Sequence, residues 1–201
     1  MKNTPLEYDQ FYHIYNRGTN SCNLFIETTN YEHFLRLYDK YISPIADTFA
    51  WVLMKNHFHL LVKIKPEEVI SELNLQGFKN LEGLKRVNKQ FSNLFNAYTK
   101  AFNKKYHRTG SLFEHPFHRI EVTHTNQLRY MVYYIHHNPV HHGFVESMLL
   151  YPWSSYLTIL SPKETHLKRA QVLAWFNNPE NFKTFHYNPK ILDDFKKLHI
   201  D

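Results

Sequence analysis

The sequence predicts an α+β fold in which helices pack on an antiparallel sheet, and two kinds of pattern carry this prediction. The run His57–Ile64, HFHLLVKI, alternates strictly, which indicates a strand with one buried face. Three other stretches, within 31–42, 87–102 and 128–135, repeat apolar residues at helical spacing. The order strand, helix, hairpin, helices, strand, helix is typical of a ferredoxin-like sheet with helices on one face. We expect the other face to be free for a substrate.

The chain begins with a predicted strand and a predicted helix. Residues 11–15 favour the strand, and a turn that contains Gly18 ends it. Thr29 and Glu32 have the spacing of a capping box, which predicts the start of the helix. Its apolar stripe, within 31–42, requires a sheet to pack against.

A β-hairpin is predicted next. Residues 48–54 are apolar on both faces, as expected of a central strand. Lys55 and Asn56 form a tight turn, and the chain returns as the His57 strand, which Pro66 closes. The histidines of that strand therefore lie beside the turn.

The second half of the chain alternates predicted helices with one strand. Residues 67–73 favour a short helix, and the stripe within 87–102 predicts a long one. A strand over 118–123 follows, and Thr125 can cap the next helix. Pro139 should stop that helix, because residues ahead of a proline are pushed out of helical geometry.

Length and composition indicate one principal domain. The chain has 201 residues and is 43% hydrophobic, enough to build a core. We expect a domain over 1–160 and a helical C-terminal extension over 161–201 that packs on it. The five glycines form neither a P-loop nor a dinucleotide fingerprint, which excludes those nucleotide-binding classes.

The charge balance favours a polyanionic partner. The formal net charge is +6, and no Asp or Glu occurs between Gly83 and Phe113. The alternative is an ordinary solvated helix face, but this stretch lacks the intrahelical ion pairs of such a face. The candidate nucleic-acid contacts in it are Lys85, Arg86, Lys89, Lys100, Lys104, Lys105 and Arg108.

Cysteine content and hydropathy indicate a cytoplasmic location. Cys22 is the single cysteine, so internal disulfides and multi-cysteine zinc motifs are excluded. The N-terminal residues contain no apolar signal segment, and no run approaches the roughly 18 apolar residues that span a bilayer. We expect a cytoplasmic, nucleoid-associated protein with no membrane partner.

His57 and His59 form a candidate metal pair. Strict alternation places both imidazoles on one face of the strand, with Phe58 and Leu60 on the other. A pair of histidines on an exposed strand face can bind a divalent metal. The alternative is that they hydrogen-bond or face solvent, as most strand histidines do.

Tyr134 and Asn138 form a second candidate pair. At 100° per residue they lie on one flank of their helix, about 40° apart. A tyrosine beside a divalent ion can act as a nucleophile, although half-buried packing is the common role of such a residue. His136 and His137 point about 100° apart, so we do not expect a second metal site among the histidines from 136 to 142.

Five motifs together resemble a known family. They are YHIYNRG, HFHLLVK, RTGSLF, YYIHHNPVHHGFV and PWSSY, in this order within residues 8–157. This set resembles the REP-associated tyrosine transposases, a branch of the HUH single-strand nucleases that is related to transposases of the insertion-sequence-200-like group. The resemblance implies the HUH nuclease fold and an enzyme that cleaves and rejoins single-stranded DNA near hairpins.

The resemblance also implies roles for individual residues. His57 and His59 correspond to the metal-binding histidines, with Mg²⁺ or Mn²⁺ as the cofactor, and Asn138 to a third ligand. Tyr134 corresponds to the nucleophile that forms a 5′-phosphotyrosine. Arg17 is a further candidate for DNA contact, and the protein is expected to be a monomer or a homodimer. The family's first turn usually carries more basic residues than the Asn20–Cys22 segment does here, which leaves the hairpin preference open.

Two other functions fit the same residues. A domesticated relative that binds hairpin nucleic acid without catalysis would keep the fold and the basic residues. A zinc hydrolase would use the histidines to activate water. Intact His57, His59, Tyr134 and Asn138 favour the strand-transfer enzyme over the first alternative.

Overall fold

The computed structural model of the protein describes residues 4–73, 83–188 and 191. The strands are β1 (Phe11–Arg17), β2 (Ala46–Leu53), β3 (His57–Ile64) and β4 (His118–Glu121). The helices are α1 (Thr28–Tyr41), α2 (Glu67–Ser71), α3 (Leu84–Lys105), α4 (Thr125–His141), α5 (Tyr156–Leu160), α6 (Arg169–Trp175) and α7 (Pro179–His186). None of the helices in these ranges is long and apolar enough to cross a membrane.

The four strands form one antiparallel sheet in the order β2-β3-β1-β4. The order β1-α1-β2-β3-α3-β4 along the chain is that of a ferredoxin-like unit, with α2 as a short addition. β1 lies between β3 and β4, so that Tyr15 is opposite both His59 and His118. The predicted α+β, ferredoxin-like fold class is confirmed.

Helices cover both faces of the sheet, which differs from the expectation of a single covered face. On one face, β1 and β3 residues such as Ile14 and Leu60 pack with α1 and α3. On the other face, Val52 and Leu61 pack with α4 and with the segment that follows it. The cause is that residues 49–53 of β2 and Leu60 and Leu61 of β3 place apolar side chains on both faces, and both faces must be buried. A cleft opens at the end of this second face.

β2 is an edge strand, whereas its two apolar faces predicted a central one. Its outer edge is protected by the segment after α4, which supplies backbone hydrogen bonds in place of another strand. The N–H of Leu53 donates to the carbonyl of Trp153, and the N–H of Ser155 donates to the carbonyl of Trp51, both over 2.9 Å. These hydrogen bonds occupy backbone groups that would otherwise be open to pairing with another chain. The predicted division at residue 160 stays a prediction, and 189–190 and 192–201 of the extension lie outside the described residues.

Two helix ends differ from the sequence prediction. α1 begins at Thr28, not at a box made by Thr29 and Glu32, because the side-chain oxygen of Asn30 accepts from the N–H of Glu27 over 3.1 Å. Asn30 is thus the residue that satisfies the unpaired donors at this helix start.

α4 continues through Pro139 to His141, so the prediction that Pro139 stops the helix is wrong. Only Val140 and His141 follow the proline within the helix, so the backbone hydrogen bond to Ile135 that it cannot make affects the last turn alone. The N–H of Gly143 then donates to the carbonyl of Val140 over 3.0 Å, and the N–H of Phe144 to that of Pro139 over 2.9 Å. This is a Schellman motif, and Gly143 has the left-handed φ of 69° that the motif requires.

A chain of buried hydrogen bonds ties α4 to the sheet and to α7. The carbonyl of Phe182 can only accept, so Nδ1 of His186 donates to it over 2.8 Å. Nε2 of His186 must then accept from Nδ1 of His136 over 3.0 Å. Nε2 of His136 in turn accepts from the Ser155 hydroxyl over 2.8 Å, and that hydroxyl oxygen accepts from the N–H of Trp51. Every donor has an acceptor while both imidazoles are neutral.

We predict that this chain makes the fold sensitive to acid. Burial lowers the pKa of His186 to about 3 and holds the pKa of His136 well below its usual 6.5. The unfolded chain therefore binds more protons than the folded one from about pH 6.5 down to about pH 3, and stability falls with pH in that window. Each imidazole contributes up to about 1.4 kcal/mol per pH unit.

Urea unfolding of the wild type and of His186→Gln at pH 7.5 and 5.0 measures this effect. The variant should lose less unfolding free energy than the wild type between the two values, because one of the titrating groups is gone. His107→Asn is the control, since His107 is exposed and has a left-handed φ of 51°, which asparagine tolerates. Equal losses in the wild type and His186→Gln would contradict the prediction.

Candidate active site

A cleft of about 470 Å³ opens at the end of the sheet where β1 ends and β3 begins. Arg17, the last residue of β1, lies opposite His57, the first residue of β3. The end of α4 forms the third wall. The cleft is lined by Tyr15, Asn16, Arg17, Asn56, His57, His59, Tyr134, His142 and Phe144.

The structure brings the two sequence-predicted pairs together in this region. His57 and His59 point away from the core of Phe58 and Leu60 and into the cleft, as their alternation predicts. The rings of Tyr134 and His59 form a T-shaped contact, with 5.4 Å between centroids and planes at 81°. A strand and a helix more than 70 residues apart in sequence thus meet at one point.

Asn138 lies one turn after Tyr134 and is almost fully buried. Its side-chain N–H donates to the carbonyl of Tyr134 over 2.9 Å. Its Oδ1 is buried and makes no hydrogen bond of ordinary geometry with the described residues. The amide nevertheless lies close enough to His57 to raise the pKa of that imidazole, against the larger effect of burial. A buried acceptor without a donor costs free energy unless a proton or a cation satisfies it.

The hydrogen bond of His57 determines which of its nitrogens is available. Nδ1 of His57 lies 2.8 Å from Oδ1 of Asn56. Since an amide oxygen only accepts, Nδ1 carries the proton and Nε2 keeps its lone pair. A neutral imidazole that donates through one nitrogen is prepared to bind a metal through the other.

His59 is held by His13, a residue that the sequence analysis did not single out. Nε2 of His13 lies 2.9 Å from Nδ1 of His59, and both side chains are buried. Nδ1 of His13 has no hydrogen-bond partner among the described residues. The available signal was strand alternation, because His13 and Tyr15 share a face of β1 and Tyr15 pairs with His59. That alternation identifies His13 as a neighbour of His59 only after the pairing of β1 with β3 is known.

Burial keeps these imidazoles neutral. It lowers the pKa of His13 to about 3 and the pKa of His57 to about 4, in the latter case helped by the nearby charge of His142. Burial, followed by the neighbouring imidazoles, also holds the pKa of His59 well below its usual value. Near pH 7 all three side chains therefore present lone pairs instead of positive charge.

Arg17 is the sequence-predicted DNA contact that lies in the cleft. Its Nε lies 3.3 Å from a carboxylate oxygen of Glu114, and its guanidinium also contacts the Ser21 hydroxyl. The turn that follows can only be made with glycine, since a Cβ on Gly18 would lie 2.1 Å from the backbone oxygen of Cys22. This close approach fixes the turn after β1, and with it the position of Arg17 at the end of the strand.

The other predicted DNA contacts lie on α3 and in the turn after it, behind the sheet as seen from the cleft. Lys105 pairs with Glu27, the residue before α1, over 2.6 Å, so it has an acidic partner although its own helix contains none. Arg86 donates to the carbonyl of Ser71, and Arg108 lies over the Phe102 ring. The exposed members that form no ion pair with any described residue are Lys85, Lys89, Lys100 and Lys104.

The two ends of α3 lie at opposite ends of the sheet, about 33 Å apart by the rise of an α-helix. Soon after α3 ends, the carbonyl of Leu112 accepts from the N–H of Thr19, at the end where the cleft opens. At the start of α3, a Cβ on Gly83 would lie 3.7 Å from the hydroxyl of Tyr8, near the beginning of β1. The basic residues divide accordingly, with Lys100, Lys104, Lys105 and Arg108 at the cleft end and Lys85, Arg86 and Lys89 at the far end.

The residues of the cleft could hold a metal only with help from other ligands. Across residues 4–73, 83–188 and 191, no three His, Cys, Asp or Glu side chains form a group that could bind one. The donor set is instead two neutral imidazoles and the unsatisfied amide oxygen of Asn138. Mg²⁺ usually keeps several waters or takes substrate oxygens, and such a partial site fits that behaviour.

Comparison with known proteins supports the fold. No family model matches the sequence, and no curated protein matches it. A solved structure of a REP-associated tyrosine transposase bound to a REP hairpin is similar over 81% of this chain and 87% of that chain, with a TM-score of 0.58. The two sequences are 16% identical, so the likeness shows a shared fold.

Proposed function

We propose that this protein is a metal-dependent strand transferase of the tyrosine transposase type. It would cleave and rejoin single-stranded DNA near hairpins through a 5′-phosphotyrosine intermediate. The observation that carries the proposal is the meeting of Tyr134 with His57 and His59 in one cleft. The structurally similar transposase, which is bound to a hairpin, supports hairpin DNA as the partner.

Tyr134 is the proposed nucleophile. Its hydroxyl oxygen would attack phosphorus and displace the 3′ oxygen of the preceding nucleotide. The phenol loses its proton, the departing oxygen gains one, and the phosphodiester becomes an ester of tyrosine. No water enters the reaction, so the bond energy is retained and a 3′-hydroxyl can later reverse the step. Reversal with a different 3′-hydroxyl joins new strands, which is the chemistry of transposition and recombination.

His57, His59 and Asn138 are the residues that would hold Mg²⁺ or Mn²⁺. Burial keeps both imidazoles in the neutral form that binds metals. Nε2 of His57 keeps its lone pair when Nδ1 donates to Asn56, and Oδ1 of Asn138 is a buried acceptor without a hydrogen bond of ordinary geometry among the described residues. When bound, a divalent ion supplies positive charge that offsets the negative charge of the phosphate. Arg17, in the same cleft, is a further phosphate contact.

The second candidate is a non-catalytic protein that binds hairpin nucleic acid. The observation that favours it is that the described residues contain no complete group of acidic, cysteine and histidine metal ligands. The fold and the exposed lysines would serve binding alone equally well. A zinc hydrolase, the third possibility, would release its product without a covalent bond to Tyr134.

Tyr134→Phe should abolish covalent attachment to DNA and leave the fold intact, because it removes only the hydroxyl. The wild type, incubated with Mn²⁺ and hairpin DNA from the region flanking its gene, should form an adduct that survives denaturing electrophoresis. Tyr130→Phe is the matched control, as Tyr130 lies on the same helix and packs with Phe185. Hairpin binding without an adduct would favour the non-catalytic protein, and cleavage that persists in Tyr134→Phe would favour the hydrolase.

His13→Leu should weaken Mn²⁺ binding, because His59 loses the partner that orients its ring. Loss of such a supporting residue typically costs about 10- to 100-fold in metal affinity. His13→Gln, which keeps a hydrogen-bonding side chain, should lose less. Electron paramagnetic resonance titration of free Mn²⁺ measures the affinity without DNA or turnover. His118→Gln is the control, since His118 stacks on Tyr15 and has no hydrogen bond to His59. Wild-type Mn²⁺ affinity in His13→Leu would show that His13 does not orient His59 for metal binding.

The lysines at the cleft end of α3 should matter more for hairpin DNA than those at the far end. Replacing Lys100 and Lys104 with glutamine should reduce affinity and lower the slope of log K against log salt by about 0.9 per lost phosphate contact. Replacing Lys85 and Lys89 makes the same change in charge about 20 Å further along the helix. Fluorescence anisotropy at several salt concentrations compares the pairs. Equal losses would show that net charge, not position, governs binding.

A further inference from the structure

Phe144 differs from the other carbocyclic rings that line the cleft, Tyr15 and Tyr134, in its ring contacts within the described part of the chain. The Tyr15 ring is stacked on that of His118, with 4.9 Å between centroids and planes at 13°, and on that of His13. Tyr134 has its ring against His13 and His59. Phe144 contacts no ring of the described residues and remains 44% exposed.

The position of Phe144 is fixed by the end of the nucleophile helix. Its N–H is held by the carbonyl of Pro139 over 2.9 Å, and Gly143 before it has the left-handed φ that closes the Schellman motif. The motif joins the phenyl ring to the helix of Tyr134 without an intervening flexible loop. The backbone of Phe144 is therefore fixed at the mouth of the cleft.

An exposed apolar residue after a helix is ordinary by itself. The residue at this position of a Schellman motif often packs back on the helix, and single exposed hydrophobic residues need no special explanation. Leu150, for example, is 64% exposed and lies outside the cleft. Phe144 differs because it is the wholly apolar side chain in a cleft that otherwise presents Arg17, amides, imidazoles and phenols.

A cleft with one polar wall and one aromatic wall complements a nucleotide, which consists of a polar phosphate and sugar and an aromatic base. Arg17 and His57 line the side suited to a phosphate, while Phe144 offers a flat apolar face. An unpaired base of any of the four kinds can stack on such a face, whereas a base in a duplex is already stacked on its neighbours. The cleft volume of about 470 Å³ lies within the range of roughly 300 to 1,000 Å³ usual for ligand sites.

We propose that Phe144 is the stacking platform for an unpaired nucleobase next to the phosphate that Tyr134 attacks. The proposal rests on the function proposed above and deepens it, because it assigns the preference for single strands to a residue. The base would lie on the phenyl ring while its neighbouring phosphate enters the polar side of the cleft. Any of the four bases could occupy the platform.

The test uses the full chain carrying Tyr134→Phe, without divalent metal, so that neither cleavage nor metal binding contributes. The probe is oligothymidine that carries one 2-aminopurine, a base whose fluorescence is quenched by stacking. We expect quenching on binding, and loss of that quenching when Phe144→Ala is added. Affinity should fall about 5- to 150-fold, which corresponds to about 1 to 3 kcal/mol for one stacked base.

Three further variants separate stacking from exposed apolar surface and from damage to the fold. Phe144→Trp should keep the quenching, and Phe144→Leu, which retains apolar surface and the helix cap, should lose it. Leu150→Ala removes an exposed apolar side chain elsewhere and should leave both readouts unchanged. Absence of quenching in the parent protein, quenching that persists in Phe144→Leu, or an equal loss in Leu150→Ala would each overturn the proposal.

The outcomes also separate this inference from the proposed function. A covalent adduct with wild-type Tyr134, together with unchanged binding in Phe144→Ala, would reject the platform and keep the strand transferase. Quenching that depends on Phe144 without any adduct would keep the platform in a non-catalytic binding protein and reject the strand transferase.

Discussion

The pairing of β1 with both β3 and β4 is the constraint on which the site depends. Because successive strand residues point to opposite faces, this register places His13, Tyr15 and His59 together on the cleft side. A slip of one residue in β1 would carry His13 into the core that Ile14 now fills. The same register brings Arg17 to the edge of the cleft, where the contact between Gly18 and Cys22 fixes the turn. The sheet therefore sets the relative positions of the groups before any substrate arrives.

The helix that supplies Tyr134 is held from behind by a polar chain, in contrast to the mainly apolar packing of α1 and α3. His136 sits between Ser155 and His186, and each hydrogen bond in that chain has one possible direction. A directional chain determines the rotation of α4 more closely than apolar contacts alone, which tolerate sliding. The segment that forms this chain also covers the edge of β2. The C-terminal helices thus support the position of the tyrosine as well as the sheet.

Local patterns predicted much of the molecule, and the errors occur where distant segments decide the outcome. Alternation identified the His57 strand, and helical geometry placed Tyr134 and Asn138 on one flank, because both properties depend on neighbouring residues. The edge position of β2 could not be predicted, since a strand buried on both faces has the same pattern whether a strand or a loop protects its edge. His13 was missed for a similar reason, because its significance appears only once β1 is paired with β3. The prediction that Pro139 stops the helix was wrong because the hydrogen bonds that complete the last turn are donated by residues after the helix.

The electrostatic character of the cleft differs from that of the chain as a whole. The formal net charge is +6, yet the histidines of the cleft are kept neutral by burial and Arg17 is paired with Glu114. The unpaired positive charge described on α3 lies on the other side of the sheet. A phosphate entering such a cleft would meet Arg17 as the cation of the described lining, and that guanidinium is already shared with Glu114. In the proposed enzyme this division is useful, because lysines outside the cleft can hold the DNA by its backbone while a bound divalent ion would offset the charge of the reacting phosphate.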